Sequence, residues 1–151
     1  MNRTDDIKSI MTEQVGGYRD LLDILQRERA CLINFDPRGV ETLSKEKDTI
    51  VMKLKLLEEE RLRLVRDFAE DHRLADKEIF PKLTELANDD SFQRLRLQLI
   101  SLLQSITELN NFNRVLIERS ASVVKNALSF LGSIGVTVQA KNAGALISRQ
   151  A

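Results

Sequence analysis

The 151-residue chain lacks tryptophan and has one tyrosine, two prolines, one cysteine and one histidine. Aromatic residues make up 5% of it, and because sheet-based folds usually use more aromatic and β-branched residues, the composition favours long helices. A single cysteine cannot form an intrachain disulfide, which is typical of a reducing compartment. The first residues are polar, and no run of about 18 apolar residues occurs. We therefore expect a cytoplasmic protein without membrane insertion.

The residue types that most often serve metal or nucleophilic chemistry are equally scarce. His72 and Cys31 fall on different predicted elements, whereas a zinc site needs about four ligands. The helical pattern of a di-iron bundle would need a glutamate at the position of Ala69. The acidic run between Glu58 and His72 is typical of a solvated helix face rather than of a catalytic pair. The sequence therefore predicts no catalytic residue, no metal site and no cofactor, and hence a protein that is not an enzyme.

Neither sign of charge is in excess, since 23 basic and 23 acidic residues give a formal net charge of zero. Binding to nucleic acid or to an anionic lipid surface usually rests on a basic excess. The phenylalanines that could stack on bases, Phe92, Phe112 and Phe130, fall in an apolar helical stripe instead. Basic residues outnumber acidic ones from Ser91 onward, which we interpret first as a complement to the acidic remainder and second as a site for an acidic partner. No nucleic-acid partner is expected.

What the sequence does contain is apolar residues at steps of three and four along long segments, the pattern of amphipathic helices. These segments span about residues 5–34, 36–72 and 91–132. A short helix is expected near residues 81–87, because proline suits the start of a helix better than its interior.

The second long segment has a clear start and two interruptions. Asp36 is a good N-cap, and Pro37 suits the first helical position, where its missing donor would be unsatisfied anyway. Lys47 and Arg61 interrupt the apolar stripe, and we expect their aliphatic stems to cover apolar surface.

The last long segment has the most regular stripe. Its d-type positions are all apolar, whereas its a-type positions become polar at Asn113 and Ser120. A polar residue at an a position fixes the register of helix pairing at some cost in stability. From the stripe alone, replacing Asn113 by leucine should raise thermal stability and make the pairing less unique.

The composition changes after Leu131, where the sequence continues GSIGVTVQAKNAGALISRQA. Its glycines disfavour a continued helix, yet five large aliphatic residues remain in it: Ile134, Val136, Val138, Leu146 and Ile147. We predict a helical domain over residues 1–134 and a flexible apolar tail over residues 135–151. The fold class is predicted to be all-α: an elongated antiparallel helical hairpin or bundle with two or three long helices, one short helix and this tail. A helical hairpin with an apolar tail offers a surface that suits the binding of another helix.

Three segments in a fixed order resemble the flagellar export chaperones of the FlgN type. They are LLDILQRERACL, followed by a turn aspartate, then VETLSKEKDTIVMKLKLLEEERLRLV, and finally LNNFNRVLIERSASVVKNALSFL. In that family the long last helix carries the pattern N-x-x-N-x-x-L-I-x-x-S, which is matched here by Asn110, Asn113, Leu116, Ile117 and Ser120. The resemblance covers the chain from about Leu21 to its end.

The resemblance implies a protein that catalyses no reaction and binds the C-terminal helical segments of the two flagellar hook-filament junction proteins in the cytoplasm. It implies that the protein keeps them from assembling early and delivers them to the flagellar type III export gate. The partner-binding residues would lie in the last helix and the tail: Asn113, Leu116, Ile117, Ser120, Val123, Val124, Ala127, Leu128, Leu131, Ile134, Val136, Val138, Leu146 and Ile147.

Three alternatives stay open at this point. Asn110 and Asn113 either hydrogen-bond across the hairpin and so set the face that meets the partner, or only fix helix register. The chain either remains a monomer or forms a homo-oligomer. A structural coiled-coil protein without an export role would show the same stripes, and it would self-associate and not need its tail.

Overall fold

The computed structural model describes residues 3–134, which form four helices and no strand. They are α1 (Arg3–Ile33), α2 (Pro37–His72), α3 (Asp76–Ala87) and α4 (Ser91–Ser133). The all-α prediction is confirmed, and the three long helices begin and end within a few residues of the predicted positions. None of these helices combines the length and the apolar character needed to cross a membrane. The predicted tail, residues 135–151, lies outside the described residues.

The turn between α1 and α2 follows the predicted capping. Asp36 Oδ1 accepts a hydrogen bond from the backbone N–H of Gly39 at 3.0 Å, and the Asp36 carbonyl accepts one from Val40 at 3.1 Å. Phe35 reverses the chain in the left-handed conformation, with φ 54°. A Cβ at position 39 would lie 2.6 Å from Cys31 Sγ. Glycine there lets α2 begin close to the end of α1.

The short helix α3 starts earlier than the sequence indicated. Pro81 lies inside it, so the expectation that proline marks its first position was wrong. The start is set instead by Glu78, whose carboxylate accepts a hydrogen bond from the backbone N–H of Ala75 at 3.0 Å. At the other end Asn88 adopts the left-handed conformation, with φ 55°, and its N–H bonds to the Thr84 carbonyl. A satisfied first turn offsets the hydrogen bond that Pro81 cannot donate.

The described chain divides into two compact units, each built from separate stretches of sequence. Unit 1 contains residues 3–21 and 49–105, and unit 2 contains residues 22–48 and 106–134. The helices α1, α2 and α4 therefore each contribute one part to each unit, whereas α3 belongs to unit 1 alone.

The core of unit 1 takes one fully buried side chain from each of its four helices. Ile7, Phe68, Leu83 and Phe92 are at most 3% exposed and pack together. Lys8 Nζ lies 5.7 Å from the centre of the Phe92 ring, a distance at which a cation is attracted to an aromatic face. Burial of these four side chains stabilises the unit by about 1.5–3 kcal/mol for each.

Arg61, which interrupts the α2 stripe, has a polar partner in unit 1. Its Nε donates to Glu58 Oε2 at 2.9 Å, and Gln14 Nε2 donates to the same oxygen at 2.7 Å. The hydrogen bond from the Arg61 guanidinium is the main reason that the pKa of Glu58 lies below its ordinary value, and the bond from Gln14 adds to it. Partial burial acts in the opposite direction. The arginine thus does more than cover apolar surface with its stem.

Gly16 and Gly17 occupy adjacent positions of α1 in different surroundings. A Cβ on Gly17 would lie 2.8 Å from Leu54 Cδ2, whereas a Cβ on Gly16 would meet nothing within 4 Å. Gly17 therefore permits close packing of α1 on α2 in unit 1. No comparable contact accounts for Gly16.

Candidate partner-binding site

Asn113, the most conspicuous polar residue of the α4 stripe, lies in the interior of unit 2. It is 1% exposed, and its Nδ2 donates to the Leu25 carbonyl at 2.9 Å and to Glu28 Oε1 at 3.0 Å. Both acceptors belong to α1, so the amide nitrogen is held between a carbonyl and a carboxylate. Its Oδ1 is buried and has no hydrogen-bond partner within the described residues. The opposite amide orientation would place an oxygen against two acceptors, which makes the observed one favourable.

Glu28 extends this interaction to the third helix. Lys47 Nζ on α2 donates to Glu28 Oε2 at 2.8 Å, and the side chains of Lys47 and Glu28 are 13% and 2% exposed. Lys47, like Arg61, interrupts its stripe because it meets a carboxylate. We name Glu28, Lys47 and Asn113 the polar triad; it joins α1, α2 and α4 within unit 2.

The polar triad fixes how α4 lies against α1. Removing a carboxylate from water costs several kcal/mol unless charged and hydrogen-bonding partners meet it. Sliding α4 by one turn would carry Asn113 away from Glu28 and leave Glu28 Oε1 without this donor. The prediction that Asn113 sets register therefore has a physical basis in a buried carboxylate. Asn110 and Asn111 are exposed, so the expected bond across the hairpin involves Asn113 and not Asn110.

An apolar cluster lies one helical turn beyond the triad. Leu32, Val40 and Ile117 are at most 5% exposed, with Cys31 and Leu116 packed against them. Burial, with the Asp36 carboxylate adding to it, raises the pKa of the Cys31 thiol. A raised pKa keeps the thiol protonated and poorly nucleophilic, so Cys31 acts as a packing residue.

Ile117, in this cluster, is the last buried residue of α4 within the described residues. Asn113 meets Leu25 and Glu28, and Ile117 meets Leu32, so within unit 2 α4 runs in the direction of α1. Because α1 ends at Ile33 and α4 continues to Ser133, α4 extends beyond the last turn of α1. None of residues 118–134 is buried.

We name residues 118–134 the α4 extension. Half-buried side chains recur there at positions that continue the packed face of α4: Ser120, Val124, Leu128 and Leu131. Beside them lie exposed apolar residues, with Val123 61%, Phe130 64% and Ile134 56% exposed, and Ala127 is exposed too. A solvent-facing helix normally places polar residues at such positions.

The predicted site residues thus fall into three groups. Asn113 and Ile117 are buried inside unit 2, and Leu116 is half-buried against the same cluster. A second group lies along the α4 extension: Ser120, Val123, Val124, Ala127, Leu128, Leu131 and Ile134. The third group, Val136, Val138, Leu146 and Ile147, lies outside the described residues.

Sequence reasoning missed some residues that the structure brings forward. Glu28 binds both other members of the triad. The sequence feature that could have identified it is a charged residue inside the apolar stripe of α1, matched by the basic Lys47 inside the stripe of α2. The stripe places Phe130 and Phe112 on the packed face of α4, whereas Phe130 is 64% and Phe112 47% exposed; Val115 is 38% exposed on the same helix. The stripe identified the apolar positions but not where the partner helices end.

No group of three or more potential metal ligands occurs among residues 3–134, and the site offers apolar surface and fixed geometry rather than reactive groups.

Searches among curated proteins and solved structures returned no match. The family model described as FlgN protein matches residues 1–140, which include all four helices. The chain therefore belongs to the FlgN family, a family of flagellar chaperones and not of enzymes.

Proposed function

We propose that this protein is a cytoplasmic export chaperone that binds the C-terminal helical segments of flagellar hook-filament junction proteins. It keeps these clients from assembling prematurely and delivers them to the flagellar type III export gate. Membership of the FlgN family supports the general role. The observation that carries the binding mode is the α4 extension, along which apolar side chains recur on one helix face and no residue is buried.

The α4 extension has the dimensions of a helix-binding surface. From Ile117 to Ser133 the helix advances about 24 Å at a rise of about 1.5 Å per residue. An amphipathic client helix of about four turns would cover this length, placing its apolar residues against Val124, Leu128 and Leu131. Exposed Val123 and Phe130 flank that line and would widen the contact.

The polar triad gives this surface a fixed direction. Because Asn113 holds α4 at one register against α1, the residues that α4 presents beyond Ile117 are fixed as well. A preorganised helix face loses less conformational entropy on binding than one that must first order itself. The triad thus acts on client binding through α4, without touching the client.

The direct test is calorimetric titration of the full chain with a synthetic peptide from the C-terminal helix of a junction protein. Val124→Ser and Leu128→Ser should each weaken binding about tenfold or more, because a leucine-sized side chain contributes about 1.5–3 kcal/mol when buried. Their melting temperatures should stay close to wild type, since both residues are only half-buried. Leu97→Ser is the matched control, because Leu97 is 56% exposed on α4 but lies in unit 1.

Unchanged affinity in both α4 variants would overturn the assignment. A fall of several degrees in melting temperature would show that these positions support the fold. Loss of binding in Leu97→Ser would move the site to unit 1.

The tail is tested separately. Deleting residues 135–151 should leave the melting temperature almost unchanged and weaken client binding at least about tenfold, equivalent to about 1.4 kcal/mol. A structural coiled coil without an export role gives a different result: the tail is dispensable, and the peptide binds neither the full-length nor the truncated chain.

A further inference from the structure

The outer face of α2 in unit 1 carries exposed apolar residues at positions where a solvent-facing helix usually has polar ones. Met52 is 58% exposed, Leu56 59% and Leu62 54%. The inner face of the same stretch packs through Leu54 and Phe68, which are 6% and 0% exposed. These outer residues are therefore not part of the core of unit 1.

Two of these residues, Met52 and Leu62, lie on a line of exposed residues that has the spacing of a coiled-coil seam, whereas Leu56 lies beside that line. Met52, Lys55, Glu59 and Leu62 are separated by steps of three, four and three, which places them on one line along the helix. We name these residues the α2 seam. Within residues 3–134, Lys55 and Glu59 take part in no ion pair of their own, whereas Glu60 nearby is paired with Arg63.

The α2 seam is complementary to itself when a second copy runs antiparallel. If a two-fold axis passes opposite Leu57, a residue before Leu57 in one copy faces the residue equally far after Leu57 in the other copy. Met52 then faces Leu62 of the other copy, and Lys55 faces Glu59. Antiparallel coiled coils pair a positions with d positions in this way, and each charged contact occurs twice by symmetry.

We propose that two copies of this protein associate through the α2 seam in this antiparallel register. A parallel arrangement would place lysine near lysine and glutamate near glutamate, which is unfavourable. The seam spans only about 15 Å of helix, so the interface is small and the association transient. We expect a dissociation constant of roughly tens to hundreds of micromolar.

Analytical ultracentrifugation of the full chain, from about 10 µM to about 1 mM, tests this register through charge reversal. Lys55→Glu places two glutamates opposite each other at both symmetry-related contacts, and Glu59→Lys does the same with lysines. Each variant alone should associate roughly tenfold more weakly. The double variant, and an equimolar mixture of the two single variants, should regain wild-type association, because each pairs glutamate with lysine again.

Lys53→Glu is the matched control, since Lys53 is exposed on α2 but off the α2 seam, and it should associate as wild type does. Circular dichroism confirms that all variants remain folded. A wild-type chain that stays monomeric to about 1 mM would overturn the proposal and leave the seam to a partner of another sequence. A dimer that ignores charge reversal, or a mixture that fails to recover, would overturn the antiparallel register.

Discussion

Replacing Lys47 by methionine removes the cation that the buried Glu28 carboxylate faces. The side chain of Glu28 is 2% exposed, and Lys47 Nζ donates to it at 2.8 Å. Breaking a buried ion pair from one side usually costs about 3–5 kcal/mol, because the remaining charge is left uncompensated. Lys47 keeps 13% exposure and Asn113 still donates to the carboxylate, so we expect the low end, about 3 kcal/mol.

Urea denaturation followed by circular dichroism at pH 7 measures this loss. Lys53→Met, an exposed lysine of the same helix, is the control and should change the free energy of unfolding by about 0.5 kcal/mol or less. Adding Glu28→Leu to Lys47→Met removes the buried charge and should recover most of the loss. A cost below about 1 kcal/mol for Lys47→Met, or no recovery in the pair, would refute the idea that the triad is a buried, mutually dependent unit.

Three further outcomes follow from the same contacts. The stripe alone predicts that Asn113→Leu raises stability, but the buried contact with Glu28 reverses that expectation. The substitution should lower the free energy of unfolding by about 1 kcal/mol in the wild-type background, because the carboxylate loses a donor. It should raise that free energy once the triad's two charged members are replaced by apolar residues, and stabilisation in both backgrounds would contradict this. Gly16→Ala should stabilise α1 by about 1 kcal/mol. Gly17→Ala should stabilise it clearly less, because the new Cβ would crowd the buried Leu54 side chain. Equal gains in melting temperature would contradict the close packing. The lowered pKa of Glu58 contributes stability that is present above the unfolded pKa and is lost as pH falls through the folded pKa. Glu58→Gln or Arg61→Met should therefore reduce the loss of stability that acid titration measures below about pH 4.5. An unchanged loss of stability in this pH range would contradict the pairing.

The sequence predicted the long helices well because their determinants are local. Apolar residues at steps of three and four mark the buried faces, and Asp36 caps α2 as its residue type suggests. Pro81 misled the prediction of α3, since Glu78 caps the helix a turn earlier than the proline. A capping bond outweighed the preference of proline for the first position.

The candidate site was predictable only in part, because it depends on which residues meet in space. The stripe marked Asn113 as polar and register-setting. It could not show that Glu28 and Lys47, far apart in sequence, lie beside it. Nor could periodicity reveal that α1 ends where α4 continues, since the apolar spacing of α4 is the same on both sides of Ile117.

Hydrogen–deuterium exchange of the full chain, with and without a C-terminal peptide from a junction protein, shows whether the α4 extension binds the client. Saturating peptide should slow exchange along residues 118–133 of α4, while residues 3–21 of unit 1 should exchange at an unchanged rate. Protection confined to unit 1, or no change along the α4 extension at saturation, would contradict the claim that this surface binds the client.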